Sequence, residues 1–495
     1  MVRLREEKDM ERLRQAALLL EAENRRLTTR LVELTRQLMN ARGEDASALQ
    51  LKLAELERQL AQARAELFGP SSEKRPRADA PAADAGEQEK QRGHGPRQQT
   101  LPALEVVHQL EEADKQCPQC GGALGEMKGC FEEAEEVDVV ERRFVLKRHR
   151  RQKYRCACNA CVQTAPGPEK LVEGGRYSLD FAIEVVVAKY LDHQPLERQV
   201  RTMAREGLGV DSQTLWDQAS ALARVLYPTW EALLVELLRQ QTLGADETRW
   251  PLLGSPGQAK WHMWALASPQ AVVYRVAEGR GADAARPLLE GFSGVLMTDG
   301  YAVYDALAKA SGGHFSVAHC WAHVRRKFLE CAAPEAQAAL GLIGELYGVE
   351  REYQTGPPDL QRLHALRQEK SRPLIARLHA WALGVRALPE SALGKALAYM
   401  GHLWKGLTLF LQDARVPLDN NATERALRGP VVGRKNHYGS RSKRGTEVAA
   451  LFYSLLESAK LCGVEPKAYL RAAARAALRG EPPLLPHQLA TNAAA

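Results

Sequence analysis

The chain has 495 residues, 45% of them hydrophobic, with 68 Lys and Arg against 61 Asp and Glu and a formal net charge of +7. No apolar run nears the roughly 20 residues that span a bilayer, and the charged start MVRLREEKDMERLR has no secretory apolar core. Membrane-spanning and secreted classes are therefore excluded, and the expectation is a cytoplasmic protein of about three domains.

The first segment, 1–68, carries a heptad pattern. Leu13, Leu20, Leu27 and Leu34 fall at d, and Met10, Ala17, Asn24, Leu31 and Leu38 at a. This seam predicts a leucine-zipper-like coiled coil, and the a-position Asn24 favours a parallel dimer in fixed register. The pattern breaks near Gly43 and resumes in a new phase with Leu49, Leu56 and Ala63 at d. Residues 69–102 are rich in Pro, Ala, Gly and charge, which predicts a flexible linker.

A module over 103–170 follows. Five of the nine cysteines sit in two tight groups, Cys117/Cys120 and Cys156/Cys158/Cys161. In a cytosolic chain such spacing favours metal ligation over disulfides, and two knuckles supply four thiolates for tetrahedral Zn²⁺. The first pair is Cys117 and Cys120. The second is Cys158/Cys161, which has the better spacing, or Cys156/Cys161. Between the knuckles the chain turns from acidic to basic. Arg142, Arg143, Lys147, Arg148, Arg150 and Arg151 come with no intervening acid, as expected of a surface that contacts DNA phosphates.

Residues 171–240 read as short helices around the glycine turn at Gly207 and Gly209, with Asp211 or Ser212 capping the third. This predicts a helix-turn-helix-like DNA-binding segment. From 241 the pattern becomes strand-like. Asp246 lies inside a strand, two further strands follow, and a buried strand ends at Asp299. Another short strand leads into a helix from Trp321. Residues from about 330 to 415 read as inserted helices, and Glu424 follows on a helix among Arg425, Arg428, Arg434 and Lys435. Three antiparallel-like strands, a strand ending in Asp and a later helix bearing Glu give the order of an RNase H-like catalytic domain over 241–450. A helical segment, 451–495, completes a multidomain α/β chain.

The acids suggest a chemistry. In-line displacement at phosphorus uses two divalent cations, and Mg²⁺ takes a few carboxylates plus water and phosphate. Asp246, Asp299 and Glu424 are the expected catalytic Mg²⁺ (or Mn²⁺) ligands. Arg325 and Arg326 are expected on phosphate, together with the cations around Glu424, and Arg428, four residues on, is expected to share the helix face of Glu424. Cys320 and His323 form a C-x-x-H pair, expected to pack at the active site, to help hold DNA or to serve a structural role. Two ligands alone do not make a separate zinc site.

Motifs along nearly the whole chain carry a resemblance: LFGPSSEK (67–74), CPQCGG (117–122), AKYLDHQPLERQ (188–199), ADET (245–248), TDGYAVYDAL (298–307), HCWAHVRRKF (319–328), RQEKSRPL (367–374), DNNATERALR (419–428), GRKN (433–436) and SLLESAKLCGVEPKAYL (454–470). The chain resembles the large transposase subunit of the insertion-sequence-sixty-six family of DDE transposases. The resemblance implies a zipper-like N-terminus, a zinc module and a DDE domain with acids at Asp246, Asp299 and Glu424. It implies cleavage at terminal inverted repeats, transfer of the freed 3′ ends into target DNA, and small accessory proteins from the same element. A zinc-dependent DNA-binding regulator and a nuclease that hydrolyses without joining are the alternatives. Arg249-Trp250 departs from the family, which has a smaller residue or proline there.

Overall fold

The computed structural model describes residues 144–155, 162–253, 260–331 and 333–493. The coiled coil expected over 1–68, the linker over 69–102 and most of the zinc module lie outside the described residues. So do Arg142, Arg143, Cys117, Cys120, Cys158 and Cys161. On either side of the second cysteine cluster, β1 (Lys153–Arg155) and β2 (Val162–Thr164) pair antiparallel, with Tyr154 opposite Gln163.

Three helices follow. Ser178 accepts the Phe181 N–H and starts α1 (Leu179–Tyr190). Pro195 precedes α2 (Leu196–Arg205), and Gly207, at φ +85°, makes the turn. Asp211 accepts the Thr214 N–H and caps α3 (Ser212–Leu238); an Asp in this place satisfies one of the orphan donors of the first turn. The 27-residue α3 runs far past the turn region. Its Leu226, Leu233 and Leu237 join Ile183 and Val186 of α1 in the same core as the sheet. The helical segment expected over 171–240 therefore shares its hydrophobic core with the strands that follow, because its apolar stripes are longer than a free-standing three-helix unit would need.

The central sheet has the order β5-β4-β3-β6-β7. Its strands are β3 (Thr242–Arg249), β4 (Trp261–Ala267), β5 (Val272–Glu278), β6 (Gly294–Thr298) and β7 (Phe315–His319). The first three are antiparallel, while β6 and β7 run parallel to β3. Helices α4 (Ala282–Leu289) and α5 (Ala302–Ala310) make the crossovers, and α6 (Trp321–Leu329) leaves β7.

Strand β5 is an edge, and an uncovered edge invites pairing with other chains. Here a later helix, Lys443–Leu461, closes it: Ser454 Oγ accepts the Tyr274 N–H at 2.8 Å, and Ser458 Oγ accepts that of Val272 at 2.9 Å.

A second core builds on β6, β7 and the inserted helices α7 (Ala336–Gln354), α8 (Leu360–Leu366), α9 (Arg372–Gly384) and α10 (Ala392–Leu407). Between α8 and α9 lies one π-helical turn, Arg367–Ser371. The chain then returns through α11 (Asn421–Ala426) and α12 (Arg428–His437) to α13 (Lys443–Leu461). Residues Val448 to Ala459 of α13 are all buried. Helices α14 (Pro466–Leu478) and α15 (Pro486–Ala493) close the fold. No helix among the described residues is long and apolar enough to cross a membrane.

Candidate active site

The parallel register sets two of the acids side by side. Gly244 of β3 lies opposite Met297 of β6, so two residues further on Asp246 comes beside Asp299. Asp246 is largely buried, and burial raises its carboxyl to about 7; the charges of Glu247, Asp299 and Glu424 act in the same direction. Its Oδ1 accepts the Glu247 N–H at 2.8 Å. Asp299 Oδ1 accepts the Tyr301 N–H at 2.9 Å, and the Tyr399 hydroxyl of α10 donates to the Asp299 carbonyl at 2.7 Å. Burial and then the Asp299 charge push the Tyr399 phenol up to about 12, so it remains a donor at neutral pH. The inserted helices thus clamp the backbone of the second acid.

Glu424 arrives on α11, and β3 fixes where α11 sits. Asn420 Nδ2 donates to the Ala245 carbonyl at 2.9 Å, and the Asn420 N–H bonds Cys320 Sγ at 3.2 Å. Gly244 lets the helix approach: a Cβ there would collide with Thr423 Oγ1 and come within 2.8 Å of Asn420 Oδ1. Gly244→Val should cost about 1–3 kcal/mol and displace Glu424. Denaturant unfolding measures the cost, and an unchanged midpoint would refute this packing.

One continuous helix through Glu424 and Arg428 does not form; α11 ends at Ala426 and α12 starts at Arg428. Pro430 is the physical reason, since it lacks an N–H and its ring crowds the carbonyl four residues back. That carbonyl, of Ala426, instead accepts the Tyr274 hydroxyl at 2.6 Å.

Glu247 turns to the opposite face from Asp246, as strand alternation requires. Its side chain is 1% exposed and bound by Arg280 Nε at 2.8 Å and the Tyr304 hydroxyl at 2.8 Å. Arg280 also lies over the Tyr301 ring, 4.1 Å from its centroid. Sequence reading did not find this lock. Its signal was the pair of tyrosines in TDGYAVYDAL, spaced so that both sit near the start of one helix.

The expected DNA-contacting cations divide. Lys147, Arg148, Arg150, Arg326, Arg425, Arg428 and Lys435 are exposed. Arg151 is exposed too, but its Nε donates to the Ala165 carbonyl at 2.6 Å. Arg325 is half-buried. Arg434 is engaged internally, on Thr248 Oγ1 at 3.1 Å and the Arg249 carbonyl. The unusual Trp250 is accommodated by full burial, its Nε1 donating to Ser440 Oγ at 3.0 Å.

The donor set fits a hard divalent cation. The charges of Asp299 and Glu424 both bear on Asp246, and Glu424 Oε1 is a buried oxygen with no hydrogen-bond partner. Such orphans are rare in native folds. Cys320 and His323 stand beside this acid: Cys320 Sγ, a His323 ring nitrogen and a Glu424 oxygen all lie within 4.8 Å of one another. His323 Nδ1 is 3.8 Å from Glu424 Oε1.

The family model described as transposase IS66 family matches residues 174–448, and the zinc-finger binding domain of transposase IS66 matches 114–159. The second match indicates Zn²⁺; it covers Cys117, Cys120 and Cys158 and stops short of Cys161. The chain is 34% identical over 393 residues to uncharacterized protein y4jD of Sinorhizobium fredii, covering 75% of this chain and 76% of the relative. It is 33% identical over 409 residues to y4qI of the same organism, covering 78% and 75%.

Proposed function

This chain belongs to the transposase IS66 family, and we propose that it is a DNA transposase that binds terminal inverted repeats, cleaves there, and joins the freed 3′ ends to target DNA. The observation that carries the reading is the grouping of Asp246 within β3, Asp299 just beyond β6 and Glu424 on α11, felt in the raised Asp246 carboxyl. The strand order, with three antiparallel strands followed by two parallel ones, supports an RNase H-like catalytic domain.

In this reading Asp246, Asp299 and Glu424 would hold Mg²⁺ or Mn²⁺. Bound there, such ions supply Lewis-acid stabilisation at phosphorus and lower the pKa of an attacking water or 3′-hydroxyl. The protein's own part is positioning. Tyr399 and Gly244 fix the acids in space. Asp246 would have to give up its proton to hold a cation, so divalent affinity should rise as pH approaches about 7. Arg326, Arg425, Arg428 and Lys435 provide exposed charge for phosphates, as do Lys147, Arg148, Arg150 and Arg151 beside the zinc module. The N-terminal heptads would pair protomers so that two ends are held together, and small accessory proteins of the same element would join the assembly. The reading has the protein acting in the cytoplasm, on the DNA that encodes it.

Incubation with paired element ends, target plasmid and Mg²⁺ tests the proposal. End cleavage followed by joined product is expected. Cleavage without joining would make the protein a nuclease, and end binding with neither would make it a regulator.

A further inference from the structure

We propose that Cys320 Sγ, His323 Nδ1 and Glu424 Oε1 form a second, thiophilic cation site of the Zn²⁺ class, built onto the glutamate assigned above to the Mg²⁺ centre. One ligand atom from each of the three residues lies within 4.8 Å of the other two, and His323 Nδ1 is 3.8 Å from Glu424 Oε1. Ligand bonds of about 2.0–2.3 Å around a tetrahedral ion place neighbouring donors roughly 3.3–3.8 Å apart, so a small inward movement closes the set. The separation is too long for a hydrogen bond. Both His323 Nδ1 and Glu424 Oε1 are buried without a partner, and a cation between them would satisfy both at once.

The backbone is arranged for this ligand set. Cys320 caps α6, and His323 sits three residues on, on the same side of the first turn. Glu424 comes from a segment anchored on the cysteine itself, through the Asn420 N–H to Sγ at 3.2 Å. A backbone donor to sulfur is the kind of outer contact that steadies a thiolate ligand. Sulfur and imidazole select Zn²⁺ over Mg²⁺. When the Zn–S bond forms, the thiol proton leaves to solvent. Three protein ligands leave a fourth position open to water. The sequence offered only Cys320 and His323; the fold supplies the third ligand from about a hundred residues away.

A glutamate held by Zn²⁺ is withdrawn from the Mg²⁺ centre, so excess Zn²⁺ should inhibit Mg²⁺-dependent end cleavage. This consequence rests on the function proposed above, whereas the site itself does not.

The test is metal content. Full-length protein is loaded with Zn²⁺, desalted, unfolded and titrated with a chromophoric chelator. Wild type should release one more equivalent than either Cys320→Ser or His323→Gln. Added Zn²⁺ should also raise the melting temperature of wild type above that of His323→Gln, a reading that stands if the buried Cys320 variant folds poorly. Equal zinc content in wild type and His323→Gln, with equal Zn²⁺-induced shifts, overturns the site. Because neither measurement uses DNA, that failure leaves the transposase reading untouched.

Discussion

Without divalent cations at pH 8, Asp246→Asn should be more stable than the wild type by on the order of 2–4 kcal/mol. In the folded chain burial holds the Asp246 proton up to about pH 7; in the unfolded chain it leaves near the ordinary carboxylate value of about 3.9. Between these values the folded state binds more protons, so wild-type stability falls as pH rises from about 4 to 7. Asn carries no proton to lose, so this part of the slope disappears. Urea unfolding of both proteins at pH 4 and pH 8 measures it, and identical slopes would show that Asp246 is not held in a charge-repelling pocket. The instability follows from its position: burial disfavours the charged carboxylate, and the nearby Glu247, Asp299 and Glu424 charges add to the effect.

Arg367→Met should cost about 3–5 kcal/mol, the range for removing one partner of a buried ion pair. Arg367 is 1% exposed. Its Nε and Nη2 grip both oxygens of Glu350, at 2.8 and 2.9 Å, and Nη1 donates to the carbonyls of Phe410, Ala414 and Val416. Methionine fills much of the space but leaves that carboxylate and those carbonyls unpaired. Lysine restores the charge and not the planar fork, so Arg367→Lys should recover only part of the loss. The contacts tie the inserted helices to the turns and bends over 413–420 that lead to Glu424. End cleavage should therefore fall in both variants, further than unfolding alone explains. A denaturation midpoint within 0.5 kcal/mol of wild type, about the size of an ordinary surface substitution, would contradict this role.

How much of the site was legible depended on the range of the interaction. Asp246 and Asp299 could be read because the first lies inside a strand-like stretch and the second ends a short apolar run, Val295 to Met297. The inserted helices could be read from their length. The break at Leu427 was also present in the sequence, as Pro430 four residues after Ala426, but its consequence for Arg428 emerged only with the helix ends. What could not be read were contacts between distant segments. Nothing near Gly244 announces that Thr423 will lie against it. The buried pairing of Glu247 with Arg280 and Tyr304 joins three elements, and Arg434 looked like its exposed neighbours until its carbonyl partner at Arg249 was seen. Local pattern gives the residue and its face; which partner reaches that face is decided by how the whole chain packs.

The most direct measurement of the central claim is end cleavage by Asp299→Ala on DNA carrying the element's terminal repeats, in Mg²⁺, with end binding measured on the same protein. The account predicts that cleavage and joining are abolished while binding affinity stays within a few-fold of wild type. Cleavage at the wild-type rate by a folded Asp299→Ala protein would contradict it.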